Sequence, residues 1–306
     1  MSGKFDVAVV GGGIAGLTAA HHAALDGAQV VHFTGSGIPG GLVGNVGELE
    51  GFPAVAPVAA VDLALQMGQA NTSLGVEVVT EDVASIDVSS KRAKRLNVGG
   101  DTFTARAVIA ACGAHLKMLD VPGAARLVDK GVSQCAWCNG SLYRGKDVVV
   151  VGGGDSALQE ALHLAKFATQ VTVVTHGPMF SARQSLVDRA AGDERLAFRW
   201  ETEVAEVLGD AHVTGIRLTD KTNGEQDDLA CEGVFVYVGL SPNSAWLGGQ
   251  IDLDDTGAIV TDDMLQSSVP GVFAAGAVRQ GYRGRLTHAV GEATTAAIAA
   301  AALCRE

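Results

Sequence analysis

The chain has 306 residues, a net charge of −12, 47% hydrophobic residues and 40 glycines. That length exceeds what one small core holds, so two domains are expected, and the apolar, glycine-rich composition marks a folded α/β chain and excludes a disordered one. The acidic balance lacks the concentrated basic surface that a phosphate backbone needs, which excludes nucleic acid as a partner.

In chain order, the first signal is "FDVAVVGGGIAGLTAAHHAALDGAQVVHF". An apolar strand over residues 5–10 runs into Gly11, Gly13 and Gly16, then an alanine-rich helix, then a second strand near Val30. The first glycine permits the turn, the second lets a pyrophosphate approach the backbone, and the third lets helix pack on strand, so a dinucleotide is expected at the helix N-terminus. Asp6, two histidines and the glycine cluster, without a basic leader, favour a buried strand and helix over a signal sequence. The C-terminal "TTAAIAAAALCRE" is too short to span a bilayer. A cytoplasmic protein without a membrane partner is expected.

The next signal is "VSQCAWCNG" at 132–140, with Cys135 and Cys138 two residues apart. Five cysteines in a reducing compartment do not make a disulfide framework. Zinc would want a second CxxC or paired histidines at ligand spacing, and neither follows, so a redox pair is the expected reading and no metal is assigned. Cys231 and Cys304 read as structural. Trp137, inside the pair, suits either a partner surface or local packing.

Directly after it, "KDVVVVGGGDSALQEALHLAKFATQVTVV" repeats strand, glycine loop, amphipathic helix and strand, with Gly152, Gly154 and Ala157 at the motif positions and Asp155 and Ser156 opening the helix. Two dinucleotide modules with a CxxC just ahead of the second suggest an electron relay. The alternative is a duplicated scaffold with one dead site.

This ordered series resembles the low-molecular-weight thioredoxin reductases, within the flavoprotein pyridine nucleotide-disulfide oxidoreductases, nearly end to end. "GGGIAG", "FTG" at 33–35, "GGL" at 40–42 and "ELEGFP" at 48–53 look like FAD-contacting segments. "AACGA" at 110–114 resembles the family's ATG turn, with Cys112 in the threonine position, and "SVPGVFAAGAV" resembles its last FAD-binding turn. The resemblance implies an α/β fold of two Rossmann-like dinucleotide-binding domains, the second inserted into the first. Residues 1–116 and 245–306 would form the FAD-binding domain, and 117–244 an inserted NAD(P)-type domain carrying the CxxC. It also implies a homodimer. By the same resemblance FAD contacts fall to Gly11, Gly13, Ile14, Ala15, Gly16, Thr34, Gly35, Gly41, Leu42, Val83, Cys112, Gly113, Gly276 and Ala277. Cys138 would lie nearer the flavin and Cys135 would perform exchange. A second nucleotide site would use Gly152, Gly154, Asp155, Ser156, Ala157 and His176.

Three departures from the family stand out. Its HRR segment and following arginine, which grip the 2′-phosphate of NADPH, read here as "VVTHGPMFSAR", with His176, Gly177 and Ser181 in the arginine positions. No acid stands there for the ribose of NADH either, and Arg183 substitutes only if the loop re-routes, so NADPH, NADH and use of neither stay open. Asn139 replaces an aspartate that moves a proton, and an amide cannot titrate; His115 and His288 are candidate substitutes, each read more readily as structural. Ala277 replaces an aspartate that hydrogen bonds the flavin's ribityl and phosphate region, and Gly284 replaces a glutamine expected near the flavin. The favoured function is a flavin-dependent disulfide reductase acting on thioredoxin or a thioredoxin-like partner. The alternatives are a dithiol oxidase that closes a disulfide in a small molecule with oxygen as acceptor, a ferredoxin-linked disulfide reductase, and a non-enzymatic redox sensor.

Overall fold

The computed structural model describes residues 3–37, 39–49, 52 and 58–305. Within "ELEGFP", Glu50, Gly51 and Pro53 lie outside the described residues. The chain divides into two units, Met1–His115 with Ser241–Glu306, and Leu116–Leu240. Each is a Rossmann-like α/β unit; the first unit's parallel sheet carries an antiparallel addition, and the second unit has a separate antiparallel sheet.

The first unit begins with the strand Lys4–Val10, whose last four residues are fully covered. An uninterrupted apolar run is what a central parallel strand needs, because helices close both faces of the sheet. The chain turns at Gly11 into helix α1 (Ile14–Leu25) and returns along the strand Val30–Phe33, in parallel register from Val7↔Val30 to Val10↔Phe33. Helix α2 (Ala60–Ser73) leads to Glu77–Val79 at that edge. The strands Val83–Asp87 and Lys94–Val98 form an antiparallel hairpin that continues into Asp101–Ala110. That long strand pairs antiparallel with the hairpin through its first half and parallel with Lys4–Val10 along much of its length.

The second unit has a five-stranded parallel sheet in the order Val132–Ser133, Gly233–Val236, Asp147–Val151, Gln170–Val174, Leu196–Arg199. Its helices are the single turn α3 (Ala136–Asn139), α4 (Asp155–Leu164) and α5 (Gln184–Ala191). Thr202–Leu208, Gly215–Asp220 and Gln226–Ala230 make a separate antiparallel sheet.

Back in the first unit, Val272–Ala274 adds to the long strand in parallel, and helix α6 (Leu286–Arg305) covers the sheet beside α1. Their shared core is small: Ala19, Ala20 and Ala23 meet Ala293, Ala296 and Ala297. Alanine at these positions lets two helices approach closely, and an added side chain there overpacks at a cost of about 1–3 kcal/mol. No helix among the described residues is long and apolar enough to cross a membrane.

Candidate active site

In the first unit four loops leave the sheet at one edge. The registers Val10↔Phe33, Val10↔Ala110 and Ala274↔Ala110 bring the C-terminal ends of four parallel strands level. The order of connection reverses there, the usual place for a ligand crevice in an open α/β sheet. From these ends hang Gly11–Gly13, Thr34–Gly35, Cys112–Gly113 and Gly276–Ala277.

The glycine loop is held from below. Gly11 has φ +124°, and a Cβ on it would stand 2.2 Å from the Ala111 carbonyl oxygen. A Cβ on Gly16 would stand 1.8 Å from the Gly11 carbonyl oxygen, so helix and strand touch through this glycine. The same oxygen accepts a 2.9 Å hydrogen bond from His32 Nε2, which fixes a buried neutral imidazole; burial pushes its pKa down. Sequence reasoning passed over His32, although a lone histidine in the apolar run "VVHF" was the available signal. Ile14 and Ala15 are buried behind the loop. Gly13 differs from its neighbours, since a Cβ there would meet only the Gly40 carbonyl oxygen, at 3.7 Å.

The remaining first-unit candidates surround that open side. Gly40 donates its N–H to the Gly12 carbonyl, which brings Gly41 beside Gly13, and Leu42 follows in the same turn. Thr34 N–H bonds Val79 O, and Gly35 abuts Asp82, next to the half-buried Val83. The Cys112 thiol donates to Asn243 O at 3.1 Å and accepts from Trp246 Nε1 at 3.3 Å. Desolvation holds that thiol up at about 11, so it stays neutral. Asn243 also ties Cys112 O and His115, and its N–H bonds Gly113 O.

Gly276 packs on Ala15, and its N–H donates to the buried Glu292 carboxylate at 2.7 Å. Arg279 and His288 both contact the other oxygen of Glu292. His115 and His288 are therefore each engaged inside this unit, and Glu292, unseen in the sequence, holds the turn that carries Ala277.

These residues suit FAD. The first turn of α1 carries no acid, Gly13 leaves backbone open, and backbone fills the space behind Gly11 and Gly16. A helix N-terminus of this kind favours a pyrophosphate. Gly11, Gly13, Thr34, Gly35, Cys112 and Gly276 would hold the cofactor, which when bound supplies two-electron chemistry that side chains lack.

The second unit repeats the loop with two differences. Gly152 has φ +141° and lies against the Tyr237 carbonyl as Gly11 lies against Ala111. The third motif position is Ala157, buried and tolerated. Here, however, the first turn of α4 already contains a carboxylate. Asp155 accepts from Arg183 N at 2.7 Å and pairs with Arg183 Nε at 2.8 Å, while Ser181 N–H bonds Gly153 O at 2.9 Å. The segment after Gln170–Val174 thus folds back over the glycine loop. His176 and Ser156 are exposed.

The CxxC leaves the same sheet edge, because Ser133 pairs with Phe235 just before the turn. Cys135 and Cys138 are joined in a disulfide; Cys138 is exposed and Cys135 half-buried. The Cys138 N–H donates to Cys135 Sγ at 3.1 Å, a contact that favours a thiolate at Cys135 once the bond opens. Ser133 Oγ accepts from both Cys135 N and Asn139 Nδ2, so Asn139 braces the turn. Tyr237 Oη accepts the Ala136 N–H at 3.1 Å. Trp137 is 50% exposed, and its ring lies tilted against His163 of α4 with centroids 4.4 Å apart, which is local packing. Cys231 is buried, its thiol pushed up to about 12 by desolvation.

A fold of two Rossmann-like units, with a dinucleotide cradle in one and a disulfide and a second glycine loop in the other, is that of an FAD-dependent disulfide oxidoreductase. The sequence profile of the pyridine nucleotide-disulphide oxidoreductases matches residues 5–297, and the chain belongs to that family. Within it the chain is thioredoxin reductase-like. It is 37% identical to a thioredoxin reductase of Listeria monocytogenes, over 94% of this chain and 90% of that one. It is 38% identical to a bifunctional thioredoxin reductase/thioredoxin of Mycobacterium leprae, over 96% of this chain and 64% of the relative. The Lactococcus lactis thioredoxin reductase superposes with a TM-score of 0.95 at 32% identity, over 98% of this chain and 99% of that one.

Proposed function

We propose that the protein reduces the disulfide of thioredoxin or a thioredoxin-like partner through Cys135 and Cys138, and that NADPH is not its preferred reductant. The observation that carries the first part is the Cys135–Cys138 disulfide, set at the sheet edge in a turn braced by Ser133, Asn139 and Tyr237. Relatives named as thioredoxin reductases, one of them with thioredoxin in the same chain, support the partner. In the exchange, the Cys135 thiolate attacks one sulfur of the partner's disulfide and displaces the other as a thiolate. Cys138 then attacks Cys135, releasing the second partner sulfur and re-forming the intramolecular bond.

The second part rests on the Asp155–Arg183 pair. Arg183 is the nearest replacement for the family's missing arginines, and it is committed to Asp155. The Asp155 carboxylate stands in the first turn of α4, where a bound pyrophosphate would need positive potential. A homodimer in the cytoplasm is the proposed setting, to be checked by light scattering and fractionation.

The deciding experiment is an anaerobic titration of the flavin-loaded protein with NADPH, NADH and then a dithiol, following flavin bleaching. Bleaching by the dithiol but by neither nicotinamide is the expected result, and it leaves an electron donor such as ferredoxin, or reverse operation as a dithiol oxidase, to be tested with oxygen. Rapid bleaching by NADPH would overturn the second part. A thioredoxin that stays oxidised under every donor would overturn the first.

A further inference from the structure

Behind the CxxC turn lies a charged side chain that the exchange chemistry does not use. Glu160, on the second turn of α4, is only 7% exposed, and its Oε2 has no hydrogen-bond partner among the described residues. Its carboxylate faces the backbone N–H of Trp137, the residue that precedes Cys138. Tyr237, whose hydroxyl holds the adjoining Ala136 N–H, stands on the other side. The α3 turn is further fixed to α4 by the tilted Trp137–His163 ring contact and by Gly140 against His163 and Leu164. Glu160 is therefore buried against the turn that carries the two cysteines, with Cys135 half-buried and Cys138 exposed at its outer side.

Resting on the assignment of Cys135–Cys138 as the redox pair, we infer that Glu160 is the proton-coupled group of that pair, taking up a proton when the disulfide is reduced and releasing it when the disulfide re-forms. The physical reason is charge. The disulfide is neutral, and a carboxylate beside it has no competing anion. Reduction leaves a thiolate, and a second anion beside the turn pushes the already desolvated Glu160 carboxylate toward its protonated form. The Sγ–Sγ bond takes two electrons from the reductant and breaks, and of two protons drawn from water one goes to a sulfur and one to the Glu160 carboxylate. The products are one thiol, one thiolate and a protonated Glu160. Asn139 cannot take this part, because its amide does not titrate and its Nδ2 is held by Ser133.

The groups facing Glu160 support the coupling. Burial pushes its carboxyl up to about 7, so a proton can be exchanged near neutrality. Tyr237 is pushed far up by burial and by Glu160 itself, which keeps its hydroxyl neutral. His163, one turn along α4, is lowered by burial and by Lys166. α5 and the adjoining strands meet α4 through apolar side chains such as Leu186, Val150 and Val173. Glu160 acts on the sulfurs through this shared field, as a positioning residue for charge.

The test is an infrared difference spectrum of the flavin-loaded protein, oxidised and then reduced with dithiothreitol near neutral pH, with alkylation and mass measurement to count opened cysteines. A protonated-carboxyl band that appears on reduction, shifts in heavy water and is absent from Glu160→Gln is the expected result. Opened cysteines with no carboxyl band in the wild-type protein would overturn the inference while leaving the redox pair intact; this arm needs no variant. A band that persists in Glu160→Gln would also overturn it. Cysteines that dithiothreitol cannot open would overturn the redox pair and the inference together.

Discussion

His32 and Glu160 show how burial alone gives an ordinary side chain a pH-dependent effect. Burial raises the Glu160 carboxyl from 4.5 to about 7. The folded chain keeps that proton after the unfolded chain has lost it, so this stability is full below about pH 4.5 and is lost as pH rises through about 7. Glu160→Gln should therefore match the wild type near pH 4.5 and exceed it at pH 8 by up to about 3 kcal/mol, taking 1.36 kcal/mol per unit; urea unfolding at the two pH values checks this. His32 has the opposite sign, its folded pKa lying below 6.5. Its contribution is present above 6.5 and falls away as pH drops through the folded value, because the unfolded chain then binds the extra proton. His32→Gln, which keeps an N–H donor and cannot charge, should lose less thermal stability and less flavin than the wild type between pH 7.5 and 5.5. Neither residue was legible in the sequence: a histidine in "VVHF" and a glutamate in "LQEAL" look like hundreds of others until the neighbours that desolvate them are known. The CxxC was legible because its two cysteines sit within one turn, where spacing alone puts the sulfurs together.

The two glycine loops share a sequence pattern and differ in what surrounds them. A Cβ at Gly16 would meet the Gly11 carbonyl oxygen at 1.8 Å, whereas the equivalent position in the second loop is Ala157. Gly16→Ala should cost about 2–4 kcal/mol and much of the bound flavin, since backbone has to move. Ala157→Gly should cost only about 1 kcal/mol, the helix propensity difference; thermal unfolding with flavin quantitation separates the two. Asp155 sets the second loop apart further, because the first turn of α1 has no such charge. Asp155→Ser should tighten NADPH and NADH binding by about two- to fivefold, as expected for removing one charge from a helix N-terminus, read by calorimetry at low salt. The sequence pointed to the missing arginines at His176, Gly177 and Ser181. That Arg183 closes onto Asp155 required the fold, because 28 residues separate the two partners.

For the whole molecule, the two units should respond differently to cofactor. At a hundredfold excess over its dissociation constant, FAD should stabilise Met1–His115 with Ser241–Glu306 by about 2.7 kcal/mol, and hydrogen exchange should slow there with little change in Leu116–Leu240. Equal protection of both units would count against a single FAD cradle in the first. By itself the sequence determined the α/β class, the paired glycine motifs and the closely spaced cysteine pair, because each depends on residues close together in the chain and on a period that backbone geometry dictates. Only the tertiary structure decided which groups stand around them. Asn243 on the Cys112–Gly113 turn, Glu292 on Gly276 and Glu160 behind Trp137 are brought in by strands and helices remote in sequence. Their charge and hydrogen-bonding roles come from burial, which no local pattern specifies.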